Sequence, residues 1–266
     1  MLDAVKLLRE LQECISESSQ FNWDGGDYER LLFAEVKGLL HIEFYGEPWR
    51  ETFASFIKLV CIPDVASKIG ALFFRSPDEG ANGTNNWDFS KLIESEITFP
   101  NLKILFVEPY QLDWHNHPII AECLEEAGMI SKLITKMPNL QSMTVPNAPD
   151  ASFFEMRRQS LSYLRVESGY DHQNFILNFS RSLCLPNLEV LDFSDYNEQY
   201  VDDYPAACTP FEYYVELFRS QAFASIRMFV LRNAVLSETE LAELHGLRKD
   251  ITFRFVKSYG DYVYVK

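Results

Sequence analysis

Cysteine is scarce in this sequence. Five stand among 266 residues, at Cys14, Cys61, Cys123, Cys184 and Cys208. Their number is odd, they are widely spaced, and no CxxC pair occurs, which argues against a disulfide framework and against a structural zinc site. Cys61 and Cys184 lie among apolar neighbours and read as small buried hydrophobes. Long hydrophobic runs are missing too. The run from Phe56 to Ile62 is broken by Lys58 and stopped by Pro63, far short of the roughly 18 to 20 apolar residues of a membrane helix. Met1-Leu2-Asp3-Ala4, followed by Lys6, Arg9 and Glu10, does not have the basic-then-apolar order of a secretory leader. A cytoplasmic location away from membranes is therefore expected. Positive charge is short: 24 Lys and Arg face 39 Asp and Glu, for a net charge of −15. Such a surface repels phosphate backbones, so nucleic acid is not an expected partner. It suits a basic protein, although surplus charge also secures solubility without any partner.

Catalytic signatures are equally thin. Gly25-Gly26 and Gly80-Ala81-Asn82-Gly83 are followed by no Lys-Ser/Thr pair and fit no G-x-G-x-x-G pattern, so they read as turns. No G-x-S-x-G elbow and no H-E-x-x-H helix is present. Tyr170-Asp171-His172 reads as a loop, and the acidic stretch Tyr200 to Tyr204 as solvated loop or an acidic rim. The most metal-like group is Asp113-Trp114-His115-Asn116-His117. Two histidines two apart on an extended segment can share a face, with Asp113 as a third ligand. A polar loop before a helix opening at Pro118 explains the same residues, and no cofactor is expected. Three readings of function are therefore carried. The first is a binding module and not an enzyme. The second is a metal-dependent enzyme using Asp113, His115 and His117. The third is a passive subunit of a larger assembly, and oligomeric state is left open.

What the sequence does have is a recurring phrase. Phe99-Pro100-Asn101-Leu102-Lys103-Ile104-Leu105-Phe106-Val107 recurs in outline at Met137 to Val145 and at Leu185 to Phe193. Each copy reads apolar-Pro-Asn-Leu-x-x-apolar-x-apolar. Weaker copies follow the same frame at Leu39-x-x-Ile42-x-Phe44, Ile69-x-x-Leu72-x-Phe74, Leu161-x-x-Leu164-x-Val166 and Ile226-x-x-Phe229-x-Leu231. A degenerate copy runs through Ile251 and Phe253. Starts are spaced by roughly 21 to 38 residues, in the range of short α/β repeats. The last two apolar positions are two apart and so share one face of a short strand. Pro ends the preceding helix, and a neighbouring copy must cover each apolar face.

Between the copies, apolar spacing predicts helices. Pro48 to Ile62 carries Phe53, Phe56, Ile57 and Val60; Pro118 to Met137 carries Ile119, Ile120, Cys123, Leu124, Ile130, Leu133 and Ile134. Asn174 to Leu183 and Pro210 to Phe218 are shorter, and Ser237-Glu238-Thr239-Glu240 is a capping box before Leu241 and Leu244. Leu2 to Ile15 places Ala4, Leu7, Leu8, Leu11 and Ile15 on one helical face, followed by a polar loop from Ser16 to Asp27. Strand alternating with helix implies parallel strands.

The Pro-Asn-Leu strands, Leu188 to Phe193 most clearly, resemble bacterial cytosolic leucine-rich-repeat proteins of the ribonuclease-inhibitor-like kind. Leu72-Phe73-Phe74 through Asp78-Glu79-Gly80 to Trp87 also resembles an uncharacterised bacterial repeat family in which a strand leads through a Gly- and Asp-rich loop to a helix. The consensus asparagine ending such a segment is present at Asn147 and Asn233. Asp195 replaces it after Phe193, and Ser168 or Gly169 in another copy. The resemblance implies an α/β solenoid of horseshoe form, in preference to a doubly wound sheet, with parallel concave strands and convex helices. Its parts are an N-terminal helical cap (1–37), seven to eight irregular repeats (38–255) and a C-terminal β-hairpin cap (256–266) turning at Ser258 to Asp261. It also implies binding, and strand geometry puts the residues that alternate with the buried ones on the concave face, where a partner is expected. Those are His41, Glu43, Tyr45, Phe73, Arg75, Phe106, Glu108, Thr144, Tyr163, Arg165, Glu167, Asp192, Ser194, Val230 and Arg232. Aromatics mixed with charges of both signs suit a protein interface.

Overall fold

The computed structural model describes residues 3–19, 29–78, 83–111, 114–196 and 204–257. The chain forms two units, Met1–Glu108 with His115–Leu140, and Pro109–Trp114 with Gln141–Lys266. Both are α/β solenoids, in which parallel strands follow one another in chain order and helices make the returns.

The first unit opens with helix α1 (Ala4–Ser19), which buries Ala4, Leu8 and Ile15. The Asp3 carboxylate accepts from the Val5 and Lys6 amides at its start. The helix runs past Ile15 into the stretch expected to be loop, and the Ser16 hydroxyl there donates back to the Gln12 carbonyl at 2.9 Å. The expected cap also contains a strand, β1 (Arg30–Val36), antiparallel to β2 (Leu39–Tyr45). The connecting Lys37-Gly38 pair has φ of 53° and 80°. A two-residue hairpin turn of type I′ has left-handed backbone at both positions, and glycine adopts it without steric cost. Gln12 donates its side-chain amide to the Leu31 carbonyl, tying α1 to this outer strand.

Helices α2 (Glu51–Val60) and α3 (Pro63–Ala66) lead to β3 (Ile69–Arg75), which pairs parallel to β2. Next come β4 (Gly83–Trp87), α4 (Ser90–Glu94) and β5 (Ile104–Val107), the last parallel to β3. Then follow β6 (Asn116–Ile120) and α5 (Met129–Thr135). Strands β4 and β6 form a separate two-stranded parallel sheet. This corrects two expectations. Gly83 opens a strand, not merely a turn, and Pro118 lies inside a strand, so the helix expected over Pro118 to Met137 is confined to its C-terminal part. Apolar spacing could not separate the two, since Ile119 and Ile120 are buried either way. The backbone beyond them decides it. Cys123, Leu124, Ala127 and Gly128 all have positive φ, which a right-handed helix cannot contain. The helix starts only where the buried Glu126 carboxylate accepts from the Gly128 and Ile130 amides.

Core residues stack in register across the strands: Ile42, Leu72 and Leu105 in one row, Phe44, Phe74 and Val107 in the next. Helix α2 packs on this face through Phe53 and Phe56. Phe44, Phe53, Phe56, Phe74, Trp87 and Phe89 form an aromatic cluster with ring centroids such as Phe74–Phe89 at 5.0 Å and Phe53–Trp87 at 5.2 Å. Each buried ring contributes about 1.5–3 kcal/mol by burial, with a further fraction from edge-to-face geometry. The recurring asparagine stitches copies together: Asn101 donates to the Ser67 carbonyl at 2.7 Å and Asn139 to the Pro100 carbonyl at 2.9 Å.

The second unit contains β7 (Ser142–Val145), α6 (Ser152–Glu155), β8 (Tyr163–Glu167), α7 (Phe175–Ser180) and β9 (Val190–Ser194). It continues with α8 (Phe211–Arg219), β10 (Met228–Arg232), α9 (Glu238–Leu247) and β11 (Thr252–Val256). All five strands are parallel, including β11 against β10. The hairpin turn expected at Ser258 to Asp261 lies outside the described residues. Met143, Leu164, Leu191, Phe229 and Phe253 form one row in register; Val145, Val166, Phe193, Leu231 and Phe255 form the next. Phe175 of α7 stacks on Phe193 at 5.4 Å, and Phe218 of α8 packs against Phe229 at 5.7 Å, so these helices cover the same side of the strands. The capping box at Ser237 and Glu240 is formed in both directions.

Candidate protein-binding face

The positions that alternate with these rows lie on the opposite side of the strands from the helices. In the first unit, β2 alternates half-exposed His41, Glu43 and Tyr45 with buried Leu40, Ile42 and Phe44. Phe73 and Arg75 continue the face on β3, and Phe106 and Glu108 at β5. In register, Glu43 stands beside Phe73 and Phe73 beside Phe106. The Phe73 and Phe106 rings are 6.1 Å apart, and the Arg75 guanidinium lies over Phe106 at 4.8 Å. Arg75 also donates to Glu43 at 3.3 Å and to Glu108 at 2.6 Å. Burial lifts the Glu108 carboxyl above the usual range, against the opposing pull of Arg75.

In the second unit, Thr144, Arg165, Asp192 and Val230 form one row across the strands, and Glu167, Ser194 and Arg232 the next. Arg232 holds Asp192 with two hydrogen bonds, of 2.6 and 2.9 Å, and Arg165 donates to Glu167 at 2.9 Å. Tyr163, Arg165 and Arg232 are half-exposed, whereas Thr144, Glu167, Asp192, Ser194 and Val230 are buried. The face here is a layer of paired charges under three long side chains, more closed than a bare row of strand residues. Burial raises the Glu167 carboxyl despite Arg165. It also raises the Tyr163 hydroxyl, helped by Asp192.

Charges nearly cancel on each face. The first unit sets Glu43 and Glu108 against Arg75 and Arg30, and the second sets Glu167 and Asp192 against Arg165, Arg232 and Arg254, so the chain's −15 lies elsewhere. Three residues on these faces went unrecognised in the sequence. Arg30 and Leu32 of β1 stand in register with Tyr45 and Glu43, and Arg254 of β11 with Val230. The signal was there in the alternation of Arg254 with Phe253 and Phe255. For β1 the pattern is masked by apolar Leu32 on the exposed side.

The strand exits are held by side chains in place of a uniform asparagine. Asn233 donates to the Ser194 hydroxyl at 3.2 Å, and Ser168 to the Ser194 carbonyl at 3.0 Å. Asp195 is buried. Its carboxylate accepts from the Tyr196 amide, the Thr209 amide and the Tyr214 hydroxyl, each at 2.9 Å. Gly169 has φ +65°, and a Cβ there would meet the Asn147 Cβ at 2.6 Å.

The histidines of the metal-like segment take separate roles. His115 places Nδ1 2.8 Å from Asp78, whose other carboxylate oxygen accepts from the His115 and Asn116 amides. His117 is buried in β6, and burial lowers its imidazole to about 4. Asp113 lies outside the described residues. Among the described residues no three metal-ligating side chains gather. No described helix is long and apolar enough to cross a membrane. Cys184 is buried as expected, but Cys61 is only partly so, since it ends α2 and does not sit within it. Compared with protein-family models, curated proteins and solved structures, the chain finds no match in any of the three.

Proposed function

We propose that the chain is a binding module that holds another protein against the helix-free faces of its strands, and that it is not an enzyme. The observation that carries this is the make-up of those faces. Tyr45, Phe73, Phe106 and Tyr163 are rigid aromatics, and Arg75, Arg165 and Arg232 are already fixed by carboxylates. Side chains held before binding lose less entropy on binding, and Tyr, Phe and Arg carry much of the energy in protein interfaces. Among the described residues of these faces, no nucleophile stands poised beside a base. The repeat phrase resembles that of leucine-rich-repeat proteins of the ribonuclease-inhibitor-like kind. By that analogy the module is a cytoplasmic inhibitor or immunity-type protein acting on a basic partner, whose approach the acidic remainder of the surface would steer.

The test is affinity capture from the native cell with the whole chain, run beside Phe106→Ala and Arg165→Glu variants of unchanged circular dichroism. A partner retained by the wild type and lost by either variant supports the reading. Equal retention by all three, or a chain that only co-assembles with itself on size exclusion, overturns it.

A further inference from the structure

Strand β6 ends at Ile120, and the chain then reverses through Glu122-Cys123-Leu124-Glu125 on its way to α5. Cys123 and Leu124 sit at φ +49° and +72°, and Ala127 follows at +43°. A side chain at positive φ crowds its own backbone, which is why glycine and asparagine usually fill such positions. The other described non-glycine residues with positive φ are Lys37, Gln173, Asn174 and Asn233, all of them polar. Here the strained residues are apolar, and the fold gains no burial from them. Cys123, Leu124 and Ala127 are exposed, and Leu124, at 61%, is the most exposed large hydrophobic side chain among the described residues. Asn-Gly in their place would relieve the strain and the exposure together. The projection is nonetheless braced. Glu122 and Glu125 exchange two backbone hydrogen bonds of 2.9 Å, and the buried Glu126 carboxylate accepts from the Gly128 and Ile130 amides at 3.0 and 2.7 Å. Leu124 is therefore held in place before any contact is made, which lowers the entropy lost on binding. The Glu122 and Glu125 side chains beside it are exposed and form no ion pair among the described residues. A local rule broken with no gain inside the chain points to a gain outside it.

We propose that Leu124 is an anchor that enters an apolar pocket of a partner protein, and that lysine or arginine on the rim of that pocket meets Glu122 and Glu125. An apolar centre inside a charged rim is the ordinary layout of a protein interface. The two unpaired carboxylates set the sign of the rim, since a pocket edged with acids would be repelled. The anchor belongs to the first unit but to none of its strand-face positions. It stands separately from the strand-face reading above.

The experiment places the photoreactive residue benzoylphenylalanine at position 124 of the whole chain in its native cell, and at position 235 as a control. Val235 is also an exposed apolar residue, at 41%, but has no positive φ. Irradiation, digestion and mass spectrometry then read which partner residues lie within reach. The expected result is an adduct formed from position 124 and not from 235, on a partner segment that carries apolar residues with Lys or Arg among them. The purified partner should bind roughly tenfold more weakly to the Cys123→Asn, Leu124→Gly double variant, and also to Glu122→Lys combined with Glu125→Lys. The Asn-Gly variant should unfold at no lower urea concentration than the wild type, so its lost affinity is not lost folding. A turn with a purely structural role would move the urea midpoint and leave the affinity alone. Unchanged affinity in both double variants overturns the anchor. So does an adduct on an acidic segment, an adduct only with a second copy of this chain, or none specific to position 124. Any of these leaves the strand-face reading to its own variants, Phe106→Ala and Arg165→Glu.

Discussion

Asp195 anchors one strand exit in the second unit, and its removal can be worked through in numbers. Its carboxylate is buried and accepts three hydrogen bonds, two from backbone amides and one from the buried Tyr214 hydroxyl. A hydrogen bond to a charged acceptor contributes about 1.5 kcal/mol or more, and a buried donor left without one costs about 1–3 kcal/mol. Asp195→Ala strands all three donors and should cost roughly 4–5 kcal/mol, a large share of the 5–15 kcal/mol typical of a folded domain. Tyr214→Phe removes one donor and leaves the carboxylate two, at about 1.5–2 kcal/mol. Asp195→Asn turns an amide donor toward one of the three and should cost about 3 kcal/mol. Because Tyr214 and Asp195 share a bond, the double variant should cost about 1.5 kcal/mol less than the two singles added. Urea unfolding followed by circular dichroism measures the cycle, with amide exchange at Tyr196 and Thr209 as the local readout. Additive losses, or a neutral Tyr214→Phe, would refute the assignment of Asp195 as a lock replacing the consensus asparagine.

Three further outcomes are expected. Gly169→Ala combines a left-handed backbone with a 2.6 Å approach to Asn147 and should lower stability by about 2–3 kcal/mol, read from the urea midpoint. The paired change Cys123→Asn with Leu124→Gly should raise it by about 1–2 kcal/mol. Both residues sit at φ +49° and +72° in a tight turn closed by reciprocal Glu122–Glu125 backbone bonds, and Asn-Gly adopts that turn with less strain. A thermal scan showing no gain would deny that strain. His117 is buried with its pKa lowered from 6.5 to about 4, so the folded state favours the neutral ring. Its contribution is present above pH 6.5 and is lost as pH falls through 4, by up to about 3 kcal/mol. Stability measured across pH 7 to 4 should fall less steeply in His117→Gln; parallel curves would exclude the histidine as the cause.

The eight strands of the repeat frame were legible in the sequence because their signal is local. A Leu or Ile at a fixed distance before two apolar residues spaced by two encodes both a strand and its buried face, and Ile42 with Phe44, Leu191 with Phe193 and Phe229 with Leu231 obey it. The alternating outer residues followed from the same geometry. What the sequence did not determine was set by contacts between distant segments. Whether Ile119 and Ile120 form a strand or a helix depends on pairing with Asn86 and Trp87, more than thirty residues earlier, and on a positive-φ turn that apolar spacing does not encode. The pairing of β1 with β2 rests on a hairpin whose outer strand exposes Leu32 and so breaks the polar alternation. Which acid meets which arginine is likewise tertiary. Arg75 and Glu108 are 33 residues apart in sequence, and Arg232 and Asp192 are 40 apart. Strand register decides these pairings, because Arg75 meets Glu43 and Glu108, and Arg232 meets Asp192, across adjacent strands that distant parts of the chain supply.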